Sequence, residues 1–383
     1  MTLSASETPS TNLIWRSHNG LPQPRRMVSA DDTMSADSAY RLACEGTGLL
    51  WQGDFQNARQ LLQALVRRLE PKAKKSKKPA PPVSPAQAFN LHRQALGQRA
   101  RVLGQLLIPM DADYSIPLRR APDLRQACTE AWGPTDGQAC MVSLRELLGL
   151  VGAHEWRKKG LEIAALGVPP LNRIHPHYGV FSPVRGEYLD LVAQAPLPPA
   201  CLDKSGMAFD IGVGTGVLSA ILARRGVQGI IATDQDPRAL ACAKDNLSRL
   251  KLNPRVELLQ ADLFPAQQAD LIVCNPPWLP ARPSSALEHA IYDEDSRMLR
   301  GFLQGLRAHL NPSGEGWLIL SDLAEHLELR PRQSLLDWIA QAGLQIKARH
   351  DIAPRHGKVN DAQDSLHAFR VKEITSLWVL TAA

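Results

Sequence analysis

Asp270-Leu271-Ile272-Val273-Cys274-Asn275-Pro276-Pro277-Trp278 decides how this chain is read. An apolar run of strand length stops at two consecutive prolines, which cannot donate to a sheet ladder. The strand therefore ends in an amide side chain, a proline carbonyl and a large aromatic. In open α/β sheets, ligands collect at that carboxyl edge. An Asn amide, carbonyls without a ladder partner and an indole face suit a flat guest that carries an NH2 group.

Residues on either side of this stretch alternate between strand and helix patterns. Strands are expected at 207–213, 229–234, 255–259, 270–274, 316–321, 344–351 and 375–381. Helices are expected at 186–195, 217–225, after 236, and over 287–310 and 333–342. Asp236 is a cap, with Pro237 in the first turn, where proline is tolerated. This rhythm predicts a doubly wound, Rossmann-like α/β domain with a mostly parallel seven-stranded sheet. No helix-length pattern separates the last two strands, so they are expected to pair antiparallel.

The turn Gly212-Val213-Gly214-Thr215-Gly216 separates the possible nucleotides. The dinucleotide fingerprint needs its third glycine one position later, where this chain has Val217. Asp210, on the strand before the turn, would repel a pyrophosphate but suits a cofactor with an amino or sulfonium group. Asp234 ends the second strand, where a carboxylate can take two ribose hydroxyls. Asp262 follows the third strand, placed to meet an adenine amino group. Three acids and no lysine in the loop argue for S-adenosylmethionine over NAD or ATP. The plain alternative is three separately solvated loop acids, which fits Asp262 when it is taken alone.

A length of 383 residues suits about two domains. The net charge of +6 is a mild bias towards polyanions. Six scattered cysteines form no CxxC pair, so neither a zinc ribbon nor a disulfide framework is expected. Reduced thiols in a cytoplasmic protein are the simplest account. No apolar run has the length of a membrane span, and the N-terminus has no secretory apolar core. His175 and His177 flank a proline without a carboxylate or cysteine partner in sequence, so no metal site is expected. Their segment is read as a lid-like loop.

Residues 1–35 are rich in Ser, Thr, Pro and Asn and are expected to be poorly ordered. Residues 36–170 read as a mostly α-helical N-terminal region. Phe55, Ala58, Leu61, Leu62, Leu65, Val66 and Leu69 mark one helical stripe. A further helix is expected over 86–107, and Ser143 with Glu146 reads as a capping box. A Lys/Pro-rich loop, 71–85, holds five lysines and four prolines between residues 71 and 82. It reads equally as a solubilising linker and as a phosphate-contacting arm.

With these motifs in place, residues 171–383 resemble a class I S-adenosylmethionine-dependent methyltransferase. Asp210-Ile-Gly-Val-Gly-Thr-Gly resembles that family's first motif, Thr233-Asp234 its second and Ala261-Asp262 its third. Asn275-Pro-Pro-Trp resembles the (N/D)PP(Y/F/W) motif of the release-factor glutamine and rRNA amino-methyltransferase group. The segment Phe181-Ser-Pro-Val-Arg-Gly-Glu-Tyr is similar to an element ahead of the first motif in release-factor glutamine methyltransferases, with Val184 inserted and Tyr188 replacing Thr. Pattern and resemblance together mark Asn275, Pro276, Pro277 and Trp278 as catalytic. They mark Asp210, Gly212, Gly214, Gly216, Asp234, Asp262 and Asn275 as binding S-adenosyl-L-methionine.

The resemblance implies methylation of a planar nitrogen. Its lone pair is delocalised, and Asn275 and the Pro276 carbonyl could accept its two N–H bonds and localise the lone pair. Stacking on Trp278 would hold the plane, worth about 1–3 kcal/mol for a base. The favoured substrate is RNA, through an exocyclic amine of adenine or guanine in rRNA or tRNA. The expected partners are RNA or a ribosomal or translation-factor protein. The alternative is protein glutamine N5-methylation, and a further one is a non-catalytic binding module on the same fold.

Overall fold

The structure, a computed structural model, describes residues 13–18, 20–70, 83–283, 288, 290–355, 361 and 364–383. The chain divides into two compact units, Met1–Ser84 with Asn90–Glu155, and Pro85–Phe89 with Trp156–Ala383.

The first unit is built on a five-stranded sheet. Its strands are β1 (Ile14–Trp15), β2 (Arg26–Ala30), β3 (Thr47–Trp51), β4 (Leu106–Met110) and β5 (Cys140–Ser143), in the order β1-β5-β4-β3-β2. Only the β4–β5 pairing is antiparallel. Five helices accompany it: α1 (Ala36–Cys44), α2 (Phe55–Leu69), α3 (Pro85–Leu103), α4 (Arg125–Trp132) and α5 (Leu144–Lys159). Phe55, Ala58, Leu61, Leu62 and Leu65 of the α2 stripe are buried.

The five-stranded sheet was not foreseen within the region expected to be mostly α-helical. Leu106-Leu107-Ile108 looked like the end of a helix, but α3 stops at Leu103 and these residues pair in β4. Fully buried strands of four or five residues carry no alternation that periodicity can detect. The disorder expected over 1–35 is corrected likewise at β1 and β2, whose ladder partners lie far along the chain. Residues 1–12 and the lysines of 71–82 lie outside the described residues.

The capping box is also corrected. Ser143 ends β5 opposite Leu107, and its buried Oγ has no partner among the described residues. Glu146 instead accepts from Ser17 Oγ at 3.0 Å and from the His18 main-chain N–H.

The second unit carries the alternating pattern. A two-residue pair, β6 (Leu161–Glu162) and β7 (Arg173–Ile174), precedes α6 (Glu187–Gln194). The remaining strands are β8 (Met207–Ile211), β9 (Gly229–Asp234), β10 (Val256–Gln260), β11 (Ala269–Cys274), β12 (Leu310–Ser321), β13 (Leu344–Ile352) and β14 (Thr375–Ala382). They form one seven-stranded sheet in the order β10-β9-β8-β11-β12-β14-β13. All neighbours are parallel except β14, which runs antiparallel to both β12 and β13.

The helices of this unit are α7 (Val217–Arg224), α8 (Pro237–Arg249), α9 (Arg297–His309), α10 (Leu323–His326), α11 (Arg332–Gln341) and α12 (His367–Arg370). Asp236 caps α8, accepting from Arg238 N. Both faces of β11 are covered: Leu271 and Val273 join one apolar cluster, Ile272 and Cys274 the other. A strand buried on both sides reads as the unbroken apolar run seen in the sequence.

One helix starts later than expected. Among the described residues ahead of it lies a short 3-10 turn, Glu294–Ser296, and α9 begins only at Arg297. The N-cap, Ser296, makes no side-chain cap bond; the buried Asp293, three residues ahead, accepts instead from Met298 N at 3.0 Å and Leu299 N at 3.1 Å in the first turn. Residues 284–287 and 289 lie outside the described residues. No helix among the described residues is long and apolar enough to cross a membrane.

Candidate active site

The sheet reverses its strand order at β8, with β9 on one side and β11 on the other. Such a switch point opens a crevice outside the carboxyl ends of the strands. Register brings the sequence motifs to that edge. Ile211 pairs with Thr233 on one side and with Cys274 on the other. The next residues on the three strands are therefore Gly212, Asp234 and Asn275, at neighbouring strand ends about 4.8 Å apart.

The glycine turn is shaped by main-chain bonds. Gly212 N and Val213 N both donate to Thr233 O, at 2.9 and 2.8 Å. Gly212, Gly214 and Gly216 all have positive φ. At Gly216 a side chain would also lie 3.2 Å from Ala243 Cβ on α8. Gly216 thus permits the close helix approach that a dinucleotide fingerprint obtains one residue later, and Val217 is buried in the core.

Asp210 lies beneath the turn with no solvent exposure. Its Oδ2 accepts from Ser219 N at 2.9 Å and Ser219 Oγ at 2.6 Å, tying β8 to α7. Its Oδ1 is buried without a partner among the described residues. Burial pushes this carboxyl up to about 7, with Asp234 adding repulsion. An unsatisfied buried oxygen of this kind costs about 1–3 kcal/mol unless a ligand or water meets it.

Asp234 accepts from Gly214 N at 3.1 Å and Asp236 N at 3.0 Å, and burial raises its pKa. Asp262 differs from the other two acids. Its side chain is exposed, bonded to Gln235 Nε2 and 3.5 Å from Arg297 Nη2.

At the end of β11, Pro276 is buried, while Asn275, Pro277 and Trp278 are half-buried. The Trp278 indole N–H donates to Asn275 Oδ1 at 2.9 Å. That oxygen retains a second lone pair. The face of Trp278 carries the Arg185 guanidinium, 5.6 Å from the ring centroid. Arg185 is in turn 3.1 Å from the buried carboxylate of Glu373, just before β14.

The 175–177 segment is pinned to α8 rather than free as a lid. His175 N donates to Asn246 Oδ1 at 2.7 Å, and His177 Nε2 is 3.2 Å from Asp245 Oδ2. Among the described residues no three His, Cys, Asp or Glu side chains are grouped to hold a metal ion.

The sequence reading missed Arg185, Glu373 and Asp293. Arg185 and Glu373 are 188 positions apart, and no local pattern joins them. Asp293 did leave a signal, an acid shortly before an apolar helical stripe.

Residues 172–332 match the Methyltransferase small domain family. The tRNA1(Val) (adenine(37)-N6)-methyltransferase of Shewanella loihica is 31% identical over 190 residues, covering 46% of this chain and 72% of that protein. The chain belongs to the class I S-adenosylmethionine-dependent methyltransferase family. A release factor glutamine methyltransferase of Cereibacter sphaeroides is 34% identical over 120 residues, covering 28% of this chain and 43% of that protein. The chain spans 38–44% of the length of the bacterial release-factor relatives with which it aligns. A methyltransferase crystal structure from Pyrococcus furiosus aligns with 61% of this chain and 99% of its own, at 17% identity and a TM-score of 0.38.

The residues present fit the cofactor that this family implies. The unpartnered Asp210 oxygen and the Asp234 carboxylate make an acidic cradle around the glycine turn. Such a cradle suits a cationic cofactor and disfavours a pyrophosphate.

Proposed function

We propose that this methyltransferase-family chain transfers a methyl group from S-adenosylmethionine to the exocyclic amine of a purine in RNA. The observation that carries the reading is Asn275, held at the strand end beside the glycine turn with one oxygen lone pair still available. Asp234 would hold the ribose hydroxyls, Asp210 the cationic end of the cofactor, and Asp262 with Gln235 the edge of the adenine. When bound, S-adenosylmethionine supplies an electrophilic methyl group.

The protein's own residues do the rest. Asn275 Oδ1 and the Pro276 carbonyl accept the two N–H bonds of the target amine. This pulls electron density back onto a nitrogen that is otherwise conjugated with its ring. Trp278 and the prolines hold the plane and exclude water. Positioning and electrostatics of this kind need no strong general base. The nitrogen's surplus proton leaves to water. A stacked base would first have to be flipped out of its helix.

RNA is favoured over protein on two grounds. The net charge is +6 with a lysine-rich stretch at 72–78. Coverage of the tRNA-modifying relative also reaches 72%, against 43% for the release-factor relative. Glutamine methylation is the second reading, favoured by the likeness of residues 181–192 to the release-factor enzymes.

Tritium-labelled cofactor, incubated with RNA and protein from a strain lacking this gene, tests the proposal. Label lost to ribonuclease is the expected result. Label that resists ribonuclease and yields to protease selects glutamine. No label, with no calorimetric binding at millimolar cofactor, rejects methyl transfer altogether.

A further inference from the structure

We infer that Arg185 is the positioning residue of the acceptor site, clamped by Glu373 so that it holds the Trp278 ring against Asn275. This inference rests on the methyl-transfer reading above. It adds a residue from outside the Asn-Pro-Pro-Trp motif.

The contacts form one continuous chain. Ser321 Oγ, at the end of β12, donates to Glu373 Oε1 at 2.7 Å. The same Glu373 oxygen takes Arg185 Nη1 at 3.1 Å. The Arg185 guanidinium lies over the Trp278 ring at 5.6 Å. Trp278 Nε1 then donates to Asn275 Oδ1 at 2.9 Å.

The burial pattern explains why this chain is stiff. The Glu373 carboxylate has no solvent exposure, and Arg185 retains 22%. A buried carboxylate is strongly destabilising without its ionic partner, so Glu373 fixes the guanidinium in place. Arg is suited to this double role, because its planar head can pair at its edge and stack on its face. Glu187, two residues on, is also buried, and burial raises its pKa, so the compensating charge comes from Glu373. The charge of Arg185 is therefore neutralised within the protein and is not left over for a substrate phosphate. Its remaining face meets the indole, and the indole N–H sets where the Asn275 oxygen points.

Three variants test this in the full chain: Arg185→Ala, Arg185→Lys and Glu373→Gln. The first readout needs no substrate. Protein labelled with 5-fluorotryptophan has eight tryptophan positions, and the Trp278 fluorine resonance is assigned with Trp278→Phe. Arg185→Ala and Glu373→Gln are expected to shift and broaden that resonance, and Arg185→Lys, which keeps the ion pair but loses the planar stack, to restore only part of its position.

The second readout is transfer of labelled methyl into total tRNA, with calorimetry of S-adenosylmethionine alongside. Arg185→Ala is expected to lower kcat by about 100-fold, the scale of a misplaced catalytic group. KM for tRNA and cofactor affinity should stay near the wild-type values, and Arg185→Lys should recover part of the loss through the retained ion pair. An unchanged Trp278 resonance with unchanged kcat overturns the inference. So does a loss confined to KM that varies with salt, which would make Arg185 a phosphate contact. If Arg185→Ala fails to melt cooperatively, Arg185→Lys and Glu373→Gln decide the question. Wild-type protein that neither binds cofactor nor transfers label refutes the proposed function, while the resonance still reports on the clamp.

Discussion

Asn275 presents its acceptor chemistry through a single oxygen, already engaged once by the Trp278 indole. Asn275→Ala removes that oxygen and should lower kcat by about 10²–10³-fold, as loss of one preorganised polar contact does elsewhere. Cofactor affinity, read by calorimetry, should fall far less than kcat, because the acids that would hold most of the cofactor lie on other strands. Asp210 makes a different prediction. Its carboxyl is pushed up to about 7 in the folded protein, against about 3.9 in an unfolded chain. The native state therefore binds this proton more tightly, so stability falls as pH rises from about 4 through about 7. Asp210→Asn should abolish that slope and still accept both Ser219 bonds. Thermal melting across this window checks it, the wild type losing ground to the variant as pH increases. The two residues also differed in legibility. Asn275 was readable because two prolines mark its place, whereas the burial that sets the Asp210 pKa comes from packing of β8 against α7.

At the scale of elements, the central strands of the seven-stranded sheet were legible as apolar runs bounded by turn residues, whereas the two-residue strands β6 and β7 left no pattern. The predicted span 229–234 coincides with β9, and 270–274 differs from β11 by one residue. The early third glycine was legible too, but its function was not. Gly216 combines a φ of 79° with a contact to α8 that no spacing rule contains. Gly216→Ala therefore incurs a left-handed penalty of about 1–2 kcal/mol, with additional strain from the Ala243 contact. Urea unfolding should report a loss of about 2 kcal/mol, with α7 displaced from α8. The start of α9 and the whole first sheet escaped the sequence reading for opposite reasons. α9 starts late, its first turn bonded by an acid, Asp293, that was passed over. β3, β4 and β5 are short apolar runs indistinguishable from the helices beside them.

At the scale of the molecule, the two compact units do not correspond to two continuous stretches of sequence. Residues 85–89 open a helix that continues in the first unit, yet they belong with the second. Phe89 is buried there among Leu279, Leu323, Leu327 and Leu366, with its ring edge-on to Tyr292 at 6.2 Å. Leu279 directly follows Trp278, so this cluster supports the loop that leaves the candidate site. Phe89→Ala should destabilise the second unit by about 3–5 kcal/mol, measurable by denaturant unfolding. A fragment beginning at residue 156 should bind the fluorescent dye ANS through the apolar surface left open. No sequence pattern announced this, because the run around Phe89 reads as an ordinary helical stripe.

The indole bond to Asn275 also gives the site a polarity. An amide has one accepting end and one donating end, and left alone it could turn either towards a guest. The Trp278 N–H can only donate, so it fixes the amide with its oxygen at the strand end. The site then recognises hydrogens rather than lone pairs. On the proposed reading an amino-bearing purine would meet a complementary partner, while a keto purine of the same shape, such as hypoxanthine in place of adenine, would bring oxygen against oxygen. Mismatches of buried polar groups of this kind are worth about 10⁴-fold or more in discrimination. If the guest is the proposed purine, the tryptophan would act as a chemical sieve between bases of similar outline, in addition to providing a surface on which to stack.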